Sequence, residues 1–431
     1  MTRPARTPLL VLLLTALAGP LAAQQEVYLK VTNPGLSRVV LGLPSFASVG
    51  TIDPAVASEF LTTLRRDLDQ TVAIGVLPNE QARLVVVEPG NAALTRQRWR
   101  AVGAQFLLEG SLAGAGSQLV TEVRLWDLST SEVAYARRFE AGVGLAATLA
   151  HTIANELVKL FTGKTGPFLS RIAFVSDRTG AKELWVMRWD GDAQQQLTSY
   201  RSITLGPAWS PDGTLLAFTS FLRTAPQLLM LRPSQGSLIT LSTLPGVNSS
   251  PSFSPNGTRI AFATGGDGDT DIYVVPAAGG VPERLTHTRG INTQPAWSPS
   301  GRQIVYTSTA TGSPQLYIMD AEGTNARRLT FEDSYADEAA WAPDGIRIAY
   351  TTRVEQGFQI AILDLRDGHR TVVEGPGRNE SPCWSPDGTM LAFVSNRNGS
   401  AQIYVTDPNG QPKQITRDGN NRQPAWVVQL Q

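Results

Sequence analysis

Residues 382–393 read Pro382-Cys-Trp-Ser-Pro-Asp-Gly-Thr-Met-Leu-Ala-Phe393. Four upstream stretches say nearly the same: PAWSPDGTLLAF, PSFSPNGTRIAF, PAWSPSGRQIVY and AAWAPDGIRIAY. A shortened copy, QPAWVV, stands at residues 423–428. The aromatics before each turn are Trp209, Phe253, Trp297, Trp341, Trp384 and Trp426, at steps of 44, 44, 44, 43 and 42. The trio that follows the turn ends at Phe174, Phe218, Phe262, Tyr306, Tyr350 and Phe393, at steps of 44, 44, 44, 44 and 43. A period in the low forties with several strand-like runs per unit is the signature of a β-propeller blade.

One unit shows why. Ser381-Pro-Cys-Trp-Ser385 is expected to be extended, because a residue before proline is pushed out of the helical region. Pro386-Asp-Gly388 is a turn: proline presets φ and glycine accepts positive φ. Met390-Leu-Ala-Phe-Val-Ser395 is a second strand, Gln402-Ile-Tyr-Val-Thr406 a third, and Lys413-Gln-Ile-Thr416 an outer fourth. Asn409-Gly410 supplies the tight hairpin between the last two. Leu391-Ala-Phe-Val394 is apolar on both strand faces, whereas a sheet covered on one side alternates. Stacked blades bury both faces. Six second strands exist, yet the first, Arg171-Ile-Ala-Phe-Val-Ser176, has no PxWSPDG before it. Its missing partner is Gln423-Pro-Ala-Trp-Val-Val428, so six blades are predicted, the first closed by the C-terminal strand. Closure removes the free edge that invites aggregation.

Composition agrees. In 431 residues, Lys+Arg and Asp+Glu are both 37, and only 17% are charged, against 39 Gly and 28 Pro. Zero net charge with no basic run offers no electrostatic footprint for nucleic acid. Arg3 and Arg6 precede the apolar run Leu9-Val-Leu-Leu-Leu-Thr-Ala-Leu17, and small residues follow at Ala22-Ala23. This reads as a secretory signal peptide over residues 1–23, too short to span a bilayer, so the mature chain is expected outside the cytoplasm. The single cysteine, Cys383, reads as an inert thiol beside Trp384.

Residues 24–162 lack the repeat and read as a small α/β domain. Val27-Tyr-Leu-Lys-Val31 and Arg38-Val-Val-Leu-Gly-Leu-Pro-Ser-Phe46 are strand-like. Asp53-Pro54 opens a helix, with Asp as N-cap and Pro in the first turn; Val56, Phe60, Leu61, Leu64 and Leu68 give it an apolar stripe. Further elements are Ala73-Ile-Gly-Val76, a helix over 94–102, strands over 105–113, 119–128 and 132–140, and a helix over 145–161. Residues 163–170 form a linker to the propeller, 171–431.

Catalytic groups are not in evidence. The sequence has no Gly-x-Ser-x-Gly elbow, and His151, His287 and His369 are scattered without metal-ligand spacing. Gly163-Lys-Thr-Gly166 lacks the strand and upstream glycine of a phosphate loop. Asp267-Gly-Asp-Thr-Asp271 starts like a calcium loop but lacks glycine at position six and glutamate at position twelve. Its place in the repeat makes it a hairpin between second and third strands. The Trp series repeats in register within apolar strands, which marks core.

Propellers work through loops at the mouth of the channel. If the PxW strand is innermost, the residues just before it line one mouth. Candidate partner-binding residues are therefore Asn248, Ser249 and Ser250; Asn292, Thr293 and Gln294; Asp337 and Glu338; Asn379 and Glu380; Arg422 and Gln423.

A signal peptide, a small α/β domain and six WSPDG-type repeats ending in QPAW resemble the TolB family, the β-propeller component of the Tol–Pal envelope system. Gly103-Ala-Gln-Phe-Leu-Leu-Glu-Gly-Ser-Leu112 and Val123-Arg-Leu-Trp-Asp-Leu128 are similar to that family's N-terminal domain. The resemblance implies a periplasmic, monomeric, cofactor-free scaffold, peripheral to the membrane through its partners only. It implies that the mouth docks the peptidoglycan-associated lipoprotein Pal, with residues 248–250 and 292–294 facing it. It also implies that the tail, with Glu26, Val27, Tyr28, Leu29, Lys30 and Val31, engages the inner-membrane protein TolA. The rival readings are a secreted propeller binding glycans or peptides, and the substrate-gating propeller of a peptidase. The second needs a hydrolase domain larger than the roughly 140 residues outside the propeller.

Overall fold

Each copy of the repeat builds a four-stranded antiparallel sheet, and six such sheets are present. The computed structural model describes residues 38–223, 225–266, 269–406 and 410–428. The signal peptide, the tail strand at 26–31, Asp267 and Asn409 lie outside the described residues. Blade 6 is representative: Asn379–Trp384 pairs with Leu391–Ser395, which pairs with Gln402–Thr406, which pairs with Lys413–Gln414. Every residue of the second strand is buried, as expected for a sheet covered on both faces. Ring closure takes the inferred form: Asn421–Val427 pairs with Arg171–Ser176, Trp426 opposite Ile172, to complete blade 1.

The Ser-Pro-Asp-Gly stretch is a self-contained turn. Gly388 donates to Ser385 O at 2.9 Å with φ 75°, and Met390 N donates to Ser385 Oγ at 2.9 Å. Ser385 Oγ in turn donates to Asp387 Oδ1 at 2.6 Å. Serine and aspartate are thus consumed inside the turn.

One local expectation is corrected. Ser381 is not extended but left-handed, with φ 54°. The same slot is left-handed in every blade: Gly206, Ser250, Gln294, Glu338, Ser381 and Gln423, with φ between 52° and 58°. The register with the second strand shifts there, between Glu380 and Cys383 in blade 6 and between Arg422 and Ala425 in blade 1. A β-bulge thus overrides the pre-proline preference. Left-handed backbone costs a non-glycine residue about 1–2 kcal/mol. Hydrogen bonds between neighbouring bulges offset this: Ser381 N donates to Glu338 Oε2 at 2.8 Å, and Gly206 N to Gln423 Oε1 at 2.9 Å.

The N-terminal domain is a mixed sheet of β1 (Val39–Gly42), β2 (Ala47–Val49), β3 (Ile74–Val76), β4 (Phe106–Ala115), β5 (Gln118–Asp127) and β6 (Glu132–Gly142). Its order is β3-β1-β4-β5-β6, with β2 alongside β4. Helix α1 (Pro54–Asp69) is capped by Asp53, which accepts from Ala55 N at 2.8 Å, and buries Phe60, Leu64 and Leu68. A short α2 (Asn79–Ala82), which the sequence reading does not anticipate, precedes α3 (Ala92–Ala101). Helix α4 (Ala146–Thr162) lies beside α1 and ends at left-handed Gly163. Leu64, Ile153 and Phe161 belong to one continuous apolar core with Phe168 of the linker, Met187 and Trp189 of blade 1 and Met390 and Val405 of blade 6. The two domains share that core.

Candidate functional site

The inner strands surround the axis. Residues 206–209, 250–253, 294–296, 338–340, 381–383 and 423–426 line a central channel of about 310 Å³. The tryptophan end of each strand packs between blades: Trp384 is 4% exposed, donates from Nε1 to Ala340 O at 3.2 Å, and carries Arg347 4.5 Å from its ring centroid. These aromatics are core. Cys383 accepts from Trp426 N at 3.2 Å, and burial pushes its thiol up to about 11, which keeps it protonated and inert.

The opposite end of the strands opens into a cavity of about 330 Å³, walled by blades 5, 6, 1 and 2. Blades 5 and 6 supply Tyr335, Asp337, Glu338, Thr351, Glu380, Ser381 and Val394; blade 1 supplies Val175, Asp177, Lys182, Asn420, Arg422 and Gln423; blade 2 adds Leu205. Three of the four carboxylates, Asp337, Glu338 and Glu380, stand on blades 5 and 6, while both cations, Lys182 and Arg422, and the fourth carboxylate, Asp177, stand on blade 1. Asp337 accepts from Thr307 Oγ1 at 2.7 Å and from Tyr335 O–H at 2.8 Å; Glu338 accepts from Thr351 Oγ1 and Ser381 Oγ, both at 2.8 Å. Burial, then the charge of Asp337, raises the Glu338 carboxyl. Burial and the same neighbour raise the Tyr335 phenol. Chemically, the mouth offers hydrogen-bond donors and acceptors and side chains of both charges.

Five of the candidate residues, Asp337, Glu338, Glu380, Arg422 and Gln423, line this cavity. Ser250 and Gln294 line the channel below it, and Ser249 and Thr293 are partly exposed beside them. Asn248, Asn292 and Asn379 are turned inward, at most 1% exposed, and so are not presented at the mouth. The reason is structural: each stands at the start of its inner strand and ties it back to the preceding blade, Asn292 and Asn379 to a third-strand side chain and Asn248 to loop carbonyls. Asn379 Nδ2 donates to Gln359 Oε1 at 2.6 Å, Asn248 Nδ2 to Leu244 O at 2.8 Å, and Asn292 Nδ2 to Asp271 Oδ1 at 3.3 Å. Asn421 repeats the pattern, donating to Gln402 Oε1 at 2.8 Å. The sequence reading misses Val175, Asp177, Lys182, Tyr335, Thr351 and Val394. Antiparallel pairing finds three of them, since Arg422 faces Val175, Asp337 faces Thr351 and Glu380 faces Val394. Asp271, the last carboxylate of the calcium-loop lookalike, is paired with Arg284 and accepts from Thr286 Oγ1 at 2.6 Å.

Two domain families match the chain: the TolB amino-terminal domain over residues 27–133 and the TolB β-propeller domain over residues 158–430. Among curated relatives, the Tol-Pal system protein TolB of Geobacter metallireducens is 36% identical over 215 residues, 49% of this chain and 49% of its own. The TolB homolog of Chlorobium chlorochromatii is 32% identical over 209 residues, 48% of this chain and 47% of its own. The chain thus spans about half the length of the curated relatives it matches. The crystal structure of TolB from Acinetobacter baumannii superposes with a TM-score of 0.79 over 91% of this chain and 97% of that one, at 24% identity, which supports the two-domain fold.

Proposed function

The chain belongs to the TolB family, and on that premise we propose that it is a non-enzymatic, periplasmic scaffold of a Tol–Pal system. In this reading the propeller mouth docks a peptidoglycan-associated lipoprotein, and the tail at residues 24–34 engages a TolA-like inner-membrane protein. The pairing of envelope partners would support outer-membrane integrity and constriction at division. The observation that carries the reading is the mouth itself. It is a polar cavity whose side chains differ from blade to blade, held rigid by a ring whose strands are otherwise alike. The matched N-terminal domain weighs against a peptidase gate.

The test is recovery of the lipoprotein from envelope extract with the purified chain as bait. Gln294→Ala, Glu380→Ala and Arg422→Ala are expected to weaken recovery together by about tenfold or more, with the melting temperature unchanged. Full recovery by the triple variant overturns the mouth as the docking site. Retention of oligosaccharide with no lipoprotein overturns the scaffold reading in favour of a glycan binder.

A further inference from the structure

A charged cluster is sealed where the N-terminal domain meets the propeller. Asp67 on α1 and His151 on α4 are both fully buried, and the side chain of Asp190, in the turn after the blade 1 strand Glu183–Arg188, is buried with them. His151 Nδ1 lies 2.5 Å from Asp67 Oδ2, within the N-terminal domain. Its Nε2 points across the interface at Asp190 Oδ2, 3.7 Å away, and has no hydrogen-bond partner. Arg66 pairs with Asp190 from the same side as the histidine, and its Nε stands 3.6 Å from Asp67. The propeller turn is itself fixed: Gly191 has φ 92°, and a Cβ there would meet Ile415 O of blade 6 at 2.3 Å. Next to the turn, Trp189 packs on Phe168 at 5.2 Å between ring centroids. The geometry therefore presents one imidazole to two carboxylates that belong to different domains.

We propose that His151 is a pH-sensitive latch between the two domains, closed when its imidazole is doubly protonated. The sign follows from the donors. With Nδ1–H donating to Asp67, a neutral ring turns a lone pair at Nε2 toward a carboxylate, two acceptors face to face. Protonation of Nε2 replaces that with a charge-assisted hydrogen bond across the interface. Docking is then coupled to proton uptake at Nε2, so it is tighter at lower pH and looser at higher pH. The other charged groups that surround these carboxylates are Arg66 on α1, Arg188 and Asp192 in blade 1, and Lys413 on the outer strand of blade 6. Of all these groups, Asp67 and Asp190 stand nearest the two ring nitrogens, at 2.5 Å and 3.7 Å. Asn155, one turn on from His151, accepts from Phe168 N at 3.1 Å and carries the same helix onto the linker, so a shift of α4 is felt at residues 163–170.

The experiment is limited proteolysis of the linker in the full purified chain between about pH 5.5 and about pH 8, read beside imidazole NMR. With three histidines in the chain, the resonances of His151 are assigned by elimination with His287→Gln and His369→Gln. The wild type is expected to be cut about tenfold faster at the upper pH than at the lower, after correction for the protease's own pH profile on an unfolded substrate. His151→Gln, which still donates to Asp67 but cannot take a proton, is expected to be cut at a rate that is flat with pH. Asp190→Asn, a second variant that leaves the α1–α4 pair intact, should flatten the same profile. A wild-type profile without pH dependence, or an equal dependence in both variants, overturns the latch. Should His151→Gln fail to fold, His151 ring resonances in the wild type that do not titrate in step with cleavage overturn it equally.

Discussion

The two ends of an inner strand make different uses of the same scaffold. At the turn end, Trp384-Ser-Pro-Asp-Gly388 and its counterparts recur with little change, and in blade 6 the polar side chains are used locally: serine bonds to the turn and to aspartate, and the tryptophan N–H donates to the neighbouring blade. At the mouth end the same slots read Leu205-Gly206, Ser249-Ser250, Thr293-Gln294, Asp337-Glu338, Glu380-Ser381 and Arg422-Gln423. The backbone is just as regular there, since all six slots share the left-handed bulge. Side chains vary while the backbone repeats, which is how a rigid frame carries a specific surface. In this ring, repetition marks what holds the fold and variation in register marks what the fold is for.

That comparison breaks first at the seam. Blade 1 takes its inner strand from Asn421–Val427, so deletion of residues 423–431 strips Ile172 and its neighbours of their cover and reopens a sheet edge. Loss of Trp426 alone is a change of the size that costs about 3–5 kcal/mol. The deletion is therefore expected to lower the melting temperature by about 10 °C or more, measured by circular dichroism. An unchanged transition would mean that blade 1 does not need its donated strand. Adjacent residues test the contrast more finely. Asn379→Ala removes the buried donor to Gln359 and the acceptor for Arg397, at 2.6 Å and 3.0 Å. It is expected to cost about 2 kcal/mol in chemical denaturation. Glu380→Ala, one residue on, loses only an ion pair with exposed Arg378 and should stay within about 0.5 kcal/mol. Equal costs at the two positions would erase the distinction between frame and surface.

The frame was legible because its signals are local and repeated. The period counts blades, the Gly φ requirement marks turns, and unbroken apolar runs mark strands covered on both sides. The N-terminal helices were legible through the cap at Asp53 and the stripe at Phe60, Leu64 and Leu68. The bulge was not, because the pre-proline preference is local whereas the bonds that overcome it reach neighbouring blades, as when Ser381 N donates to Glu338. The inward asparagines were not, for a related reason: asparagine suits an exposed turn and a buried tie equally well in sequence. Only the placement of a distant partner, Gln359 for Asn379 or Asp271 for Asn292, decides between them. The interdomain cluster was least legible of all. His151 stands 84 residues from Asp67, and no spacing rule joins them until α1 and α4 lie side by side.

The finest test asks whether the two ends respond alike to acid. Asp177 sits at the mouth, where the backbone N–H of Asn420 holds its carboxyl below the usual carboxylate range. Asp212 sits in a Ser-Pro-Asp-Gly turn, where the Ser210 hydroxyl does the same. A carboxylate depressed in the folded state stabilises above its ordinary pKa of about 3.8, and that contribution is lost as pH falls through its folded value. Asp212 is exposed and Asp177 only partly buried, so solvent screening keeps each effect small. Asp177→Asn and Asp212→Asn should each remove about 1–2 °C of the fall in melting temperature between about pH 5 and about pH 3. The turn variant bears on one blade only. Asp177 also ties the strand-donating segment to blade 1 through Asn420, at 2.7 Å to the backbone and 2.9 Å to the side chain. Its loss should therefore add to the closure defect: Asp177→Asn combined with a weakened seam, such as Val427→Ala, is expected to be less stable than the two effects summed. Strict additivity would place Asp177 with the variable surface of the mouth and leave closure to the strand alone.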